Sequence, residues 1–166
     1  MNKTKVRYGL LFIVVLLVSQ TVAHAQADHQ GLPDHTPMMN ETWEIINQLM
    51  YKVEYEDKAG EPTITPLFPD ALKALQGNQV SLQGYLVPIA SSRTHQRFML
   101  SVLPIFQCMF CGQGEIPPMV EVVLAGEPIP FTEVPLIVNG EVYLNSDTST
   151  GAAEIQLHHA IAQKKG

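Results

Sequence analysis

The sequence predicts a mainly β protein, a small antiparallel barrel with one or two short helices. Three observations carry this. Apolar and polar residues alternate over several short segments, most clearly from Val80 to Pro88. Glycine or proline punctuates the chain about every ten residues between them. Helical spacing is confined to two short stretches, near Trp43 and near Leu72.

The first stretch begins at Asn40, which is suited to cap a helix, and Trp43, Ile46, Met50 and Val53 recur at helical spacing. Alternation takes over at Tyr51, Val53 and Tyr55 and stops at the turn-like Glu56-Asp57-Lys58-Ala59-Gly60, so an extended piece follows the helix. Asp70 after Pro69 opens a second helix of one or two turns, which Gly77 stops in a left-handed conformation. In the strand from Val80, Leu82, Gly84 and Leu86 share one face; Gly84 marks a bend or bulge and Pro88 the end. Arg97 to Leu103 and Met119 to Ala125 repeat the strand pattern. Pro135 to Leu144 contains Asn139-Gly140, a strong hairpin-turn signal. Ile155, Leu157, His159 and Ile161 alternate across Glu154 to Ala162, which favours a strand over a helix there. Five or six short strands of this kind fit an OB-like barrel.

Ahead of this domain, residues 1–25 have the makings of a secretory signal peptide. Lys3, Lys5 and Arg7 precede an apolar run from Leu10 to Val18, and Ala23-His24-Ala25 supplies a small-residue cleavage site. The run is shorter than the roughly 20 residues of a membrane span, so cleavage after Ala25 or Ala27 and release into the periplasm, without stable membrane insertion, are expected. Residues 26–40 form a polar leader rich in His, Pro and Met, and residues 41–166 the barrel domain. Cleavage leaves seven of the ten basic residues against all sixteen acidic ones, a balance of about −9. That sign argues against nucleic acid and anionic lipid as partners.

Both cysteines of the chain stand in one motif, Cys108-Met109-Phe110-Cys111. Outside the cytosol two thiols at this spacing serve a metal, a redox cycle or a short disulfide. A redox pair is activated at a helix N-terminus, and Gly112-Gln113-Gly114-Glu115-Ile116-Pro117-Pro118 is not a helix start. A metal suits the loop better, because flexible glycine beyond the second cysteine lets both sulfurs turn to one tetrahedral ion, zinc first. Copper(I) is a variant of the same idea, with Met99, Met109 and Met119 nearby in sequence. Zinc needs about four ligands; His95 is the best third candidate and Glu115 and Glu121 are weaker ones. His158 and His159 alternate across the last strand, so at most one of them can face any given site. The disulfide alternative, Cys108 to Cys111, closes so small a ring that it restrains the unfolded chain by only about 2 kcal/mol, although oxidation is the expected state of a metal-free pair outside the cytosol. In the leader, Asp28, His29, Asp34 and His35 offer a looser second set of donors.

The run Gly77-Asn78-Gln79-Val80-Ser81-Leu82-Gln83-Gly84-Tyr85-Leu86-Val87-Pro88, then Phe98-Met99-Leu100, then Cys108-Met109-Phe110-Cys111-Gly112, resembles a family of exported bacterial proteins catalogued as a domain of unknown function. Trp43, Pro66 and Phe68 fit its upstream pattern, so the resemblance covers the chain from about Trp43 onward. It implies an OB-like barrel. Members are often encoded beside zinc-responsive ABC-transporter and zinc-binding periplasmic proteins, which implies a role in metal homeostasis with such proteins as partners. No Gly-x-Ser-x-Gly, His-Glu-x-x-His or phosphate-binding glycine loop is present, so a non-enzymatic accessory protein is expected, with a thiol-disulfide protein or a structural interaction module as alternatives.

Overall fold

Alternation along the chain becomes a closed barrel because each of five strands finds a partner on both edges. A computed structural model describes residues 37–55, 62–104 and 116–165, all within one compact unit, His35–Gly166. The elements run α1 (Glu41–Ile46), β1 (Met50–Glu54), β2 (Thr63–Leu67), α2 (Asp70–Lys73), β3 (Gln79–Pro88), β4 (Thr94–His95), β5 (Arg97–Ser101), β6 (Met119–Leu124), β7 (Ile129–Pro130), β8 (Leu136–Leu144), a 3-10 turn (Thr148–Thr150) and β9 (Ile155–Lys164). The barrel order is β3-β5-β6-β9-β8, with β8 returning to β3. β1 with β2, and β4 with β7, form separate two-stranded sheets.

The predicted OB-like barrel is therefore present, with one departure from an antiparallel sheet. β9 runs parallel to β6, with Glu121 opposite Gln156 and Val122 opposite Leu157. A parallel partner needs a crossover rather than a tight turn, and β7 and β8 supply that connection. The core is filled from inside by Leu82, Leu86, Phe98, Leu100, Val120, Val122, Val138, Val142 and Leu157, each fully or almost fully buried.

Two glycines explain how the sheet closes. β3 pairs with β8 from Gln79 to Gly84 and with β5 from Tyr85 to Pro88, so Gly84 lies where the strand changes partners. A Cβ there would stand 2.6 Å from the Ser101 carbonyl oxygen, which only glycine avoids. Gly140 overturns an expectation: Asn139-Gly140 is no hairpin turn but the middle of the nine-residue strand β8. Its φ lies outside the left-handed region. Glycine is required because β9 crowds it, and a Cβ would meet Leu157 Cβ at 3.0 Å and Ala160 Cβ at 3.1 Å.

The two helices seal the barrel. Asn40 caps α1 by accepting from the Trp43 backbone N–H at 2.9 Å. Trp43 is fully buried, and its indole Nε1–H donates to the Gln83 carbonyl at 2.9 Å, so the large ring is inserted with its one polar atom satisfied. α1 ends within two turns; Met50 and Val53, which continue its spacing, belong to β1 instead. α2 presents the fully buried Leu72, and Gly77 follows it with φ +75°, the left-handed stop its position predicts.

Candidate functional site

The Cys-x-x-Cys motif lies in the connection from β5 to β6. Cys108 and Cys111, with Glu115, fall outside the described residues. The two ends of that connection are firmly placed. Ser101 pairs with Met119 across the β5–β6 ladder, the Val102 N–H donates to the Pro118 carbonyl at 3.4 Å, and the Val102 carbonyl accepts from the Met38 N–H at 3.0 Å. The described elements on both sides of the motif are strands, not helices.

His95 stands at the other end of the same hairpin. It pairs with Ile129 in the small β4–β7 sheet and is only 3% exposed. Its Nε2 is buried and finds no hydrogen-bond partner among the described residues. A bend at Gln96 and then β5 lie between it and Ser101, where the cysteine-bearing connection departs, a span of at most about 20 Å. Among the described residues no group of three or more His, Cys, Asp or Glu side chains is placed to hold a metal ion.

Beside the ends of the cysteine connection lies a groove of about 300 Å³. Leu49, Tyr51, Met99, Ile116, Met119 and Glu154 are among the residues that line it. Tyr51 and Glu154 form its polar edge: burial first, then the Glu154 charge and a hydrogen bond to that carboxylate, raise the Tyr51 phenol above its ordinary value. Met99 and Met119, adjacent in sequence to the motif only loosely, thus converge in space near its point of departure.

A larger cleft, about 830 Å³, opens on the outer face of β5 and β6, between Pro88–Ala90 and Thr150–Glu154. Its floor is Glu121, 2% exposed although it points away from the barrel core. Arg97 Nε donates to Glu121 Oε1 at 2.8 Å, Arg97 Nη2 donates to the same oxygen, and the Ala153 N–H donates to Oε2 at 3.0 Å. The carboxylate is committed to three N–H groups and ties the β8–β9 loop onto the barrel, which leaves it poorly suited to ligate a metal. That loop is also tied within itself. Asn145 exchanges two hydrogen bonds with the Asp147 backbone, and Asp147 Oδ1 accepts from the Ser149 N–H and hydroxyl, which lower the Asp147 pKa. Sequence patterning missed the Glu121 assembly because Arg97 is 24 residues away. Only the hairpin register reveals it: Met99 opposes Glu121, so Arg97 is its diagonal neighbour.

The two C-terminal histidines depart from expectation. They do not take opposite faces: His158 is half-buried, His159 is exposed, and both lie between the buried Leu157 and Ala160. Their ring centroids are 6.4 Å apart. No helix among the described residues is long and apolar enough to cross a membrane. Comparison with family models, with curated proteins and with solved structures finds no match to this chain.

Proposed function

We propose that this chain is an exported, non-catalytic accessory protein of the periplasm whose Cys108–Cys111 loop holds a thiophilic metal ion, zinc first, for a metal-handling partner such as an ABC transporter or a periplasmic metal-binding protein. The observation that carries the reading is the placement of the motif between two barrel strands, with its ends anchored at Ser101–Met119. The residues that follow the pair, Gly112 to Pro118, do not read as a helix start in sequence, so the usual device for lowering a thiolate pKa is not expected there, which weighs against the thiol-disulfide alternative. The barrel would act as a rigid mount and the loop as the ligand-bearing element. Two sulfurs supply half of a closed zinc shell; a partner's side chains or water would supply the rest.

The test is direct. Purified from the periplasm without chelator, the protein is expected to carry one zinc per chain, lost in Cys108→Ser. A metal-free pair that is fully oxidised and resists mild reductant would overturn both the metal and the redox readings and leave a structural disulfide. An easily reduced disulfide without metal would favour the thiol-disulfide alternative.

A further inference from the structure

Consecutive side chains of a regular strand point to opposite faces, and β9 breaks that rule once. Leu157 and Ala160 are buried, while the two residues between them both stand on the outer surface. The break is a bulge. β9 loses register with β6 between Val122 and Leu124 and with β8 between Asn139 and Glu141, so both neighbours record one extra residue at the same place. His159 takes φ +50°, the only non-glycine residue with positive φ among those described. Bulges re-aim side chains, and this one puts two imidazoles side by side, rings nearly perpendicular at 86°.

The His158 ring is held in a defined state. It stacks on Tyr143 at 4.8 Å and 18°, and its Nε2 lies 2.6 Å from Gln156 Oε1. Gln156 Nε2 donates to the Ala153 carbonyl at 3.0 Å, which fixes the amide orientation and makes Oε1 the atom that faces the histidine. An amide oxygen only accepts, so His158 Nε2 must be the N–H donor. In the neutral ring Nδ1 therefore carries the lone pair. A histidine oriented by a donated N–H on its far side is the arrangement that metal-ligating imidazoles adopt. Glu141 pairs with His158 across the ladder, but the three side chains are not placed together as a metal-holding group, so the site rests on the two imidazoles.

We propose that His158 and His159 form a two-imidazole site for a borderline divalent transition-metal ion, zinc, nickel(II) or copper(II), with His158 Nδ1 as one donor and water completing the shell. The ring centroids, 6.4 Å apart, have to draw closer by rotation of the exposed His159 side chain for one ion to stand about 2.0–2.1 Å from a nitrogen of each. Imidazole suits these ions, and an open, two-ligand shell makes the site exchangeable rather than structural. It is independent of the cysteine loop.

The test uses the full chain carrying Cys108→Ser, Cys111→Ser, His24→Ala, His29→Ala and His35→Ala, titrated with zinc sulfate and followed by calorimetry and by imidazole nitrogen NMR. Expected are saturable uptake of one ion, a metal-free His158 in the Nε2–H form, and a zinc-induced shift at His158 Nδ1. His159→Gly keeps the left-handed backbone at no steric cost and should abolish uptake without lowering the melting temperature; His158→Gln should abolish it as well. Uptake unchanged in His159→Gly, or His158 and His159 nitrogens unmoved at saturating zinc, would overturn the site. Because the cysteines are already replaced, that failure would say nothing against the cysteine-loop metal.

Discussion

The barrel and the β1–β2 hairpin are built from similar β-forming residues and end in opposite conditions. Every barrel strand is bonded on both edges, and Phe98, Leu100, Val122 and Leu157 are fully buried. Among the described residues the hairpin has two free edges. Its register puts Tyr51, Val53 and Ile64 on one face, still about half exposed, and Lys52, Glu54 and Thr65 on the other, where Lys52 and Glu54 form a 2.8 Å ion pair. Exposed pairs of that kind contribute little, and a lone two-stranded hairpin is marginal in water. The contrast teaches that alternation marks a strand but not the burial that stabilises it. The hairpin is held from outside itself, through α1 at one end and Tyr51 against Glu154 on its face.

Four substitutions and a pH titration probe that contrast. The largest effect belongs to the barrel interior: Phe98→Ala should cost about 3–5 kcal/mol, whereas Val53→Ala, on the exposed hairpin face, should stay within about 0.5 kcal/mol. Urea unfolding measures both, and similar losses would mean the hairpin is part of the core. Gly140→Ala should cost about 1–3 kcal/mol through overpacking, because its Cβ would press on Leu157 and Ala160. A neutral result would show that the bulge in β9 yields easily. The smallest effect concerns the hairpin's attachment. The Tyr51 phenol is raised above 10.0, first by burial and then by Glu154, so the fold favours its protonated form. Its contribution is full below the ordinary phenol pKa and is lost as pH rises through the raised value. In NMR titration Tyr51 should ionise above the ordinary phenol value, and Glu154→Gln should bring its midpoint down. A midpoint unchanged in Glu154→Gln would detach Tyr51 from Glu154.

Much of the fold was legible in sequence. Period-two alternation located β3, β5, β6 and β9 to within a few residues, and local chemistry located the Asn40 cap and the Gly77 stop, whereas the span of β8 reads as a hairpin. What escaped depends on residues remote from one another. The parallel β6–β9 pairing has no local signature, since it is decided by which edge remains open once the antiparallel pairs form. Asn139-Gly140 looked like a turn because glycine has more than one use; here it makes room for a neighbouring strand. The histidine pair was hidden for the same reason, as strict alternation assumes a strand without a bulge. Of the candidate site, the cysteine motif is readable at once, but Arg97 with Glu121 emerges only from cross-strand register.

The strand that carries the histidine pair also governs when the molecule can close. β9 is bonded to β6 on one side and β8 on the other, and its contact with β6 joins residues as far apart as Glu121 and Gln156. Until residues 155–164 are available, both neighbours present open edges, the kind of surface on which strands of different chains pair. Barrel closure is thus a late, long-range event that waits on the far end of the domain, and a chain cut short before Ile155 is left with two edges able to recruit another copy.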